Sequence, residues 1–336
     1  MRSKTLVIAE AGINHNGDLS LAKKLIRVAA HSRADYVKFQ TFKTEDLVTR
    51  TASKSHYQKL NETDTESQFE LLKKYELNKA MHIELISEAK NLGINFMSTA
   101  FDIENLNMLI SLGQKFIKVP SGEITNLPYL RKIGEFRKEV MLSTGMSTID
   151  EVGAAVRILV NSGTDQSKIT VLHCTSSYPT SYSDVNLLAM LEMKNRFGVN
   201  VGYSDHTMGT EVAVAAVALG ATVIEKHFTL DKNLPGPDHS TSLLPDELKM
   251  MVNQIRNIEN SMGDGLKRPM ICESENLKLV RRSIVAKRKI KKGDILNSSN
   301  ITTKRPGTGI SPMNWDHLIG SAAIRDYEED ELIDKA

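Results

Sequence analysis

Residues 116–143, FIKVPSGEITNLPYLRKIGEFRKEVMLS, contain the unit from which the fold of this chain is built. A short apolar run (116–120) is followed by a glycine-containing turn, by a stretch with helical periodicity, and by a second apolar run (139–143). Alternation of this kind is typical of parallel strands joined by crossover helices. The stretch therefore predicts a β-α-β element.

The same unit recurs along most of the chain, and eight copies fall between residue 5 and about residue 261. Eight such repeats match a closed (β/α)8 barrel, the TIM-barrel form of the α/β class, better than an open sheet. A dinucleotide-binding sheet is disfavoured because no GxGxxG motif follows the first strand. The predicted strands are residues 6–10, 36–40, 95–99, 116–120, 139–143, 169–173, 201–204 and 222–227.

The C-terminal part of the chain has a different pattern. Residues 263–278 lose periodicity and carry glycine, proline and charge, which is typical of a linker. Residues 279–336 contain short β-like runs (283–286, 294–296 and 301–303) separated by basic turns. The prediction is a barrel over residues 1–262 and a small, mostly β module that depends on the barrel or on a second subunit for stability.

One long insertion interrupts the second repeat. Residues 44–78 are rich in Thr, Ser, Glu and Lys, and they lie on the side of the barrel where loops carry function. This segment is a candidate lid.

Composition and charge restrict the class of partner. The 336 residues contain 43 Lys and Arg against 41 Asp and Glu, so a formal charge of +2 gives no reason to expect nucleic acid or an anionic membrane. No apolar run approaches the roughly 18 residues of a membrane span, and the first run is too short for a signal peptide. The two cysteines, Cys174 and Cys272, lack the spacing of a structural zinc site. We expect a cytoplasmic protein that acts on small molecules.

Polar residues end nearly every predicted strand, and barrel enzymes place their catalytic side chains there. A single case has an ordinary explanation as a salt bridge at the rim, but eight cases on one face indicate an active site. In chain order they are Glu10, Lys38 with Gln40, Ser98 with Thr99, Lys118 with Ser121 and Glu123, Ser143 with Thr144, His173, Ser204 with Asp205 and His206, and Glu225 with His227.

Lys38 and Lys118, together with nearby hydroxyl groups, form a candidate anion site. Lysine supplies a point charge and hydroxyls supply donors, which suits a small phosphorylated acid. The same lysines could instead form a Schiff base with a carbonyl substrate, and composition leaves that alternative open. The hydroxyl residues are Thr99, Ser121, Ser143 and Ser204.

His206 and His227 end the neighbouring seventh and eighth strands, so their imidazoles are expected to lie close together. Two imidazoles in an oxygen-rich pocket suit a divalent cation that keeps positions open for substrate and water. The alternative is a general acid beside a packed core histidine. His173 is interpreted as a core or supporting histidine whose hydrogen bonds are satisfied.

Three carboxylates are further candidates. Glu10 and Glu123 are expected to face the pocket, where each could move a proton or orient a water. Asp238 follows the rigid Leu234-Pro-Gly-Pro stretch and could accept hydrogen bonds from sugar hydroxyls, although a structural turn is an equal interpretation.

With these residues identified, the chain resembles the bacterial sialic acid synthase family. The shared motifs run in the family's order along nearly the whole chain. They are Ile8-Ala-Glu-Ala-Gly-Ile-Asn-His-Asn-Gly17, Val37-Lys-Phe-Gln-Thr-Phe42, Ser98-Thr-Ala-Phe101, Lys118-Val-Pro-Ser-Gly-Glu123, Leu142-Ser-Thr-Gly-Met146, Leu172-His-Cys-Thr-Ser-Ser-Tyr-Pro179, Gly202-Tyr-Ser-Asp-His206, Glu225-Lys-His227, Gly236-Pro-Asp-His239 and Lys304-Arg-Pro-Gly307.

The resemblance implies a barrel followed by an antifreeze-like (SAF) domain, in a domain-swapped homodimer whose small domains cover the neighbouring barrel mouths. It also implies an enzyme that condenses phosphoenolpyruvate with an N-acetylated amino sugar aldehyde, adds water and releases phosphate, without a lysine imine. The implied cofactor is Mn²⁺, with Mg²⁺ or Co²⁺ as alternatives.

Carried over position by position, the resemblance also implies roles for the candidate residues. Glu10 and Glu123 would do proton and water chemistry, and His206 and His227 would bind the metal. Phosphoenolpyruvate would be held by Lys38, Thr99, Lys118, Ser121, Ser143, Ser176 and Ser204, and the sugar would contact Gln40, Tyr178, Asp238 and, across the dimer, Arg305.

Two positions depart from the family pattern. Ala100 stands where many members have proline, and Ser176 stands where some have an asparagine that approaches the phosphoenolpyruvate site. Neither change removes a charge, so activity is expected to survive.

The identity of the sugar is the least constrained expectation. Members use N-acetylmannosamine to make N-acetylneuraminate, or a diacetamido 6-deoxy sugar to make N,N'-diacetyllegionaminate or pseudaminate. Residues 121–130 and 175–178 favour the legionaminate type. The alternatives are a pseudaminate synthase, a lysine-imine aldolase, and a non-catalytic carbohydrate- or ice-binding protein.

Overall fold

The computed structural model describes residues 4–53 and 67–335 of the chain. The chain divides into two compact units, Met1–Asp264 and Gly265–Ala336. Within the stretch predicted as a linker, a 3₁₀ turn (Ile271–Glu273) and the start of a short helix are already present. Of the candidate lid, residues 54–66 lie outside the described residues.

Eight parallel strands form the first unit, and every predicted strand is confirmed to within two residues. Their side chains alternate between the barrel interior and the surrounding helices. The strands are β1 (Leu6–Gly12), β2 (Tyr36–Thr41), β3 (Asn95–Ala100), β4 (Phe116–Val119), β5 (Glu139–Ser143), β6 (Ile169–Cys174), β7 (Asn200–Asp205) and β8 (Val223–His227).

Helices follow each strand and cover the outside of the barrel. Several begin at a polar residue that caps the first turn, for example Asp18, Asp102 and Thr148. The helices are α1 (Leu19–His31), α2 (Thr44–Leu47), α3 (Gln68–Lys73), α4 (Lys79–Asn91), α5 (Ile103–Ser111), α6 (Leu127–Glu135), α7 (Ile149–Asn161), α8 (Ala189–Phe197), α9 (Glu211–Ala218) and α10 (Pro245–Ser261). None of the helices in the described ranges is long and apolar enough to cross a membrane.

The barrel has one seam, between β3 and β4, which stand at the two ends of the strand order β3-β2-β1-β8-β7-β6-β5-β4. The buried side chain of Gln114, just before β4, joins the two strands. Its Nε2 donates to the carbonyl oxygens of Ser98 and Phe116, both at 2.9 Å, and its Oε1 accepts from the Ser98 amide at 2.8 Å. The side-chain amide of Gln114 therefore joins β3 to β4 at the seam, whereas backbone hydrogen bonds join the other neighbouring strands.

Side chains inside the barrel change from apolar to polar along the strands. Ile8, Met97, Met141, Leu172 and Val223 pack with Tyr36 into a buried apolar layer. Two residues further along the same strands, the interior positions hold Glu10, Thr99, Ser143, Cys174 and Glu225. The apolar layer therefore closes the barrel beneath a polar pocket at the carboxyl ends of the strands.

The second unit has its own small core. Strands β9 (Ser283–Ala286) and β10 (Ile301–Lys304) pair antiparallel, and two short helices, α11 (Ser274–Val280) and α12 (Trp315–Leu318), accompany them. The predicted run 294–296 supplies an isolated bridge through Ile295 rather than a strand. Buried Ile284, Ile301 and Tyr327 are part of the core of this unit.

The seam generates a stability prediction. Gln114→Leu leaves one amide and two carbonyl groups without this partner, so we expect the free energy of unfolding to fall by about 2–3 kcal/mol in urea titrations. The matched control is Gln166→Leu, because the exposed side chain of Gln166 donates to Phe197 O rather than joining two strands. Equal losses for the two variants would contradict a structural role for the seam amide.

Candidate active site

Four charged side chains meet inside the barrel at the carboxyl ends of the strands. Glu10, Lys38, Lys118 and Glu225, here called the charged quartet, are each no more than 5% exposed. Lys38 Nζ lies 2.9 Å from Glu10 Oε1 and 3.6 Å from Glu225 Oε1, and Lys118 Nζ lies 3.6 Å from the same Glu225 oxygen. Glu225 on β8 therefore links a lysine of β2 to a lysine of β4.

The two carboxyl groups of the quartet differ in pKa. Burial raises the pKa of Glu10 to about 7, although the neighbouring Lys38 acts against this shift. Burial would also raise the pKa of Glu225, but the charges of Lys118 and Lys38 outweigh it and lower that pKa to about 2. Near neutral pH the pocket therefore holds one permanent carboxylate beside a carboxyl that can gain or lose a proton.

The two lysines also differ. Burial acts to lower the pKa of Lys38, but Glu10 and Glu225 more than compensate, so the pKa is raised and the ammonium form is favoured. At Lys118, burial dominates and lowers the pKa. Lys38 also donates to Thr99 Oγ1 at 2.7 Å, which fixes the position of its ammonium group.

Hydroxyl groups lie beside the quartet. Ser121 Oγ accepts from the Gly145 amide at 3.0 Å, and Ser204 Oγ donates to Glu225 Oε1 at 3.3 Å. A Cβ at Gly145 would stand 2.1 Å from Ser176 Oγ and 2.9 Å from Ser121 Oγ, so only glycine lets these two hydroxyls converge. Serine side chains from different loops therefore line one part of the pocket.

His206 and His227 lie side by side above the quartet, with ring centroids 5.7 Å apart. His206 Nδ1 donates to Thr175 O at 2.7 Å, so Nε2 is the ring nitrogen that carries the lone pair in the neutral form. Burial acts to lower the pKa of His206, but the neighbouring Cys174 and the Thr175 carbonyl outweigh it and raise that pKa. Burial and the charge of His206 lower the pKa of His227 well below its usual value, so His227 is neutral. Tyr178 packs on both rings, with centroid distances of 4.1 Å to His206 and 5.8 Å to His227.

Several buried polar atoms in this region have no hydrogen-bond partner among residues 4–53 and 67–335. Buried polar groups in proteins are normally paired, so a cluster of unpaired ones marks a surface suited to a ligand. His227 Nδ1 is one of them, and its nearest acid is Asp238, whose Oδ2 lies 3.9 Å away. The others are Glu10 Oε2, Glu225 Oε2, Ser143 Oγ and Asp238 Oδ1.

The remaining predicted residues fall in several environments. Gln40 Nε2 reaches Glu10 Oε1 at 3.4 Å, and burial raises the pKa of Asp238 to about 6. Glu123 is half-buried in the turn Ser121–Glu123 and accepts from Asn126 Nδ2 at 2.6 Å, outside the quartet. Arg305 is an exposed residue of the second unit.

Not every polar residue at a strand end faces the pocket. Ser98 Oγ bonds to Thr41 Oγ1 at 2.6 Å, and Asp205 pairs with Lys226 at 2.6 Å, both on the helix side of the strands. His173 Nε2 donates to Val185 O at 2.6 Å, which confirms it as a satisfied histidine.

Two residues of the pocket were given no role by the sequence. Glu225 was noted only as a polar strand end, and Cys174 only for its lack of a zinc-site spacing, yet Cys174 Sγ lies 3.7 Å from His206 Nδ1. The alternation Val223, Glu225, His227 along β8 contained the signal, because these three residues share the interior face.

The raised pKa of Glu10 generates a prediction for stability. A carboxyl whose pKa is higher in the folded than in the unfolded state stabilises the fold below the unfolded value of 4.5, and this contribution is lost as the pH rises through about 7. Between about pH 5 and pH 8, we expect the free energy of unfolding to fall by about 1–3 kcal/mol relative to Glu10→Gln. The contribution of Glu225 varies only below pH 4.5, outside this window.

Chemical denaturation across this pH range measures the effect, and Glu192→Gln on the exposed surface of α8 is the control. A constant difference between the protein and Glu10→Gln would contradict the raised pKa.

Comparisons with known proteins show which family the chain belongs to. The NeuB family model matches residues 25–267, and the SAF domain model matches residues 281–336. The chain is 53% identical to N,N'-diacetyllegionaminic acid synthase of Campylobacter jejuni, covering 98% of this chain and 99% of that protein. It is 48% identical to the synthase of the same name from Legionella pneumophila, covering 94% and 89%.

Solved structures give the same result. The crystal structure of N-acetylneuraminic acid synthetase from Leptospira borgpetersenii in complex with citrate matches with a TM-score of 0.71 and 34% identity, covering 82% of this chain and 90% of that chain. The family model spans most of the chain, and the relatives cover nearly all of it. On this evidence, the chain belongs to the NeuB family.

Proposed function

We propose that the protein condenses phosphoenolpyruvate with 2,4-diacetamido-2,4,6-trideoxymannose to give N,N'-diacetyllegionaminate and phosphate. The observation that carries the reaction class is the charged quartet, in which two buried lysines stand beside serine hydroxyls and a carboxyl with a pKa near 7. The choice of sugar is supported by the 53% identity to the Campylobacter jejuni synthase.

The charge balance of the quartet supports the binding of a small polyanion. With both carboxyls ionised, the two lysines are neutralised, whereas a protonated Glu10 leaves the group with one net positive charge. An incoming phosphate or carboxylate would raise the pKa of Glu10 further, because like charges disfavour ionisation. Binding of phosphoenolpyruvate would therefore leave Glu10 as a proton donor.

The enzyme has to donate one proton to the sugar and accept one proton from water. Carbon 3 of phosphoenolpyruvate forms a bond to the aldehyde carbon of the sugar, and the aldehyde oxygen then needs a proton. Water adds to carbon 2 and gives up one proton. The carbon–oxygen bond to phosphate then breaks as the new hydroxyl at carbon 2 becomes a carbonyl, and the proton of that hydroxyl leaves with the phosphate. Glu10, whose Oε2 has no hydrogen-bond partner in the described part of the chain, would donate the first proton and recover one from the water. Glu123 is proposed to orient that water.

His206 and His227 are the residues that would hold a divalent cation, for which we propose Mn²⁺. Each could take this role, because loss of a proton from His206 would expose the Nε2 lone pair, and His227 is neutral with an Nδ1 that has no hydrogen-bond partner among residues 4–53 and 67–335. A metal bound there would supply Lewis-acid polarisation of the aldehyde oxygen. Residues 4–53 and 67–335 contain no group of three or more His, Cys, Asp or Glu suited to a metal, so water and substrate would supply the other ligands.

Gln40, Tyr178 and Asp238 are proposed to contact the sugar. We further propose that the enzyme works as a domain-swapped homodimer in the cytoplasm, with Arg305 contributed across the dimer.

The metal proposal predicts a loss of both binding and activity on changing one histidine. His206→Ala should abolish tight Mn²⁺ binding, measured by the electron paramagnetic resonance signal of free Mn²⁺, and should lower kcat/KM by at least about 100-fold. The control is His31→Ala on exposed α1. Activity that survives complete chelation would rule out the metal.

The choice of sugar is tested by phosphate release. With phosphoenolpyruvate and Mn²⁺, we expect kcat/KM for 2,4-diacetamido-2,4,6-trideoxymannose to exceed that for N-acetylmannosamine by at least about 10-fold, because the site must accommodate an extra acetamido group. A preference for N-acetylmannosamine would indicate a neuraminate synthase, and release only with the pseudaminate precursor would indicate a pseudaminate synthase. Inactivation by borohydride with substrate would favour the lysine-imine alternative.

A further inference from the structure

Asp205 and Lys226 form an ion pair on the helix side of the barrel, where β7 and β8 end. Lys226 Nζ lies 2.6 Å from Asp205 Oδ2, and the two residues are 2% and 1% exposed. They point away from the pocket, since their neighbours Ser204 and Glu225 face the interior. The catalytic chemistry described above makes no use of them.

The ion pair makes contacts with the residues on both sides of His206. Lys226 Nζ also donates to Thr207 O at 2.7 Å, and Thr207 donates to Asp205 Oδ1 through its amide at 2.9 Å and its hydroxyl at 2.7 Å. Residues 205 and 207 are thus both tied to one lysine of β8. His206, between them, is held at a fixed distance from that strand.

The strand ladder ends at the same place. The register of β7 on β8 runs from Tyr203–Ile224 to Asp205–Lys226, and His206 lies one residue beyond it. His227 remains inside the sheet, because it pairs with Glu10 on β1. Of the two histidines, His206 is therefore the one whose distance from β8 depends on contacts other than the ladder.

The other side of His206 is held by the loop after β6. Its carbonyl accepts from the Thr180 amide at 2.8 Å, and its Nδ1 donates to Thr175 O at 2.7 Å. These contacts set the orientation of the ring relative to β6. On the side of β8, Lys226 immediately precedes His227, so the contacts of Lys226 with Asp205 and Thr207 join the two segments that carry the histidines.

We propose that the Asp205–Lys226 pair positions the metal site, by fixing the separation of the His206 and His227 imidazoles so that one divalent cation can bind both. This inference rests on the metal site of the proposed function. Asp205 and Lys226 are positioning residues, because neither faces the pocket.

The energetics of buried ion pairs favour a positioning role over one in stability alone. Removing two charges from water has a large desolvation cost, and a well-packed neutral pair is often as stable. Groups that orient metal ligands, by contrast, typically change metal affinity by about 10- to 100-fold when they are replaced. Replacing the ion pair by two neutral side chains can therefore distinguish a role in metal positioning from a role in stability.

The test is the double variant Asp205→Asn with Lys226→Met in the full-length protein. It removes both charges together and leaves no unpaired buried ion. We expect its Kd for Mn²⁺, measured by electron paramagnetic resonance without substrate, to rise by about 10-fold. Its kcat at saturating Mn²⁺ should recover toward that of the parent. The matched control, Lys232→Met, breaks the ion pair with Glu247 at the start of α10 and should leave the Kd unchanged.

Thr207→Val supplies a second arm that keeps the side-chain shape and deletes only the hydroxyl that donates to Asp205. We expect a several-fold rise in the Kd for Mn²⁺ without loss of the fold, as judged by thermal melting. Unchanged affinity in Thr207→Val, or in the folded double variant, would overturn the proposal. If His206→Ala also binds Mn²⁺ like the parent, the metal site itself is wrong, and the two failures are thereby distinguished.

Discussion

The structure depends on keeping two lysines and two carboxyl groups together inside a barrel. Four isolated charges in that position would be prohibitive, since each loses its hydration. They are tolerated because Lys38 lies between Glu10 and Glu225, and because Glu225 also neutralises Lys118. Every strand that contributes to the quartet must therefore be held in register, and the closed sheet does this. The pKa difference between Glu10 and Glu225 is a direct result of that arrangement.

The architecture of the barrel was accessible from the sequence because it follows from a repeated local pattern. Eight apolar runs, each followed by a helical stretch, define the strands without reference to distant contacts. The polar strand ends could be located for the same reason. The seam was not accessible, because Gln114 acts through hydrogen bonds to Ser98 that no local pattern encodes.

The candidate site was predictable only in part, for a reason of geometry. A position at the end of a strand does not reveal its face, and one residue of difference separates His206 from Asp205 and Glu225 from Lys226. Counting alternate residues from a known interior position would have assigned Glu225 and Cys174 to the pocket. The convergence of Ser121 and Ser176 beside Gly145 depends on loop conformations, which periodicity does not determine. The roles of the individual residues remain predictions.

The buried apolar layer beneath the quartet affects how water and protons reach the pocket. Ile8, Met97, Met141, Leu172 and Val223 separate the pocket from the opposite end of the barrel. A hydrocarbon layer offers no chain of hydrogen bonds along which a proton could pass. In the part of the barrel that the structure describes, this layer leaves the side of the strand ends as the route for water and protons to the quartet. A bound substrate would consequently block this route, and the water used in the reaction would have to be enclosed in the pocket together with the substrate.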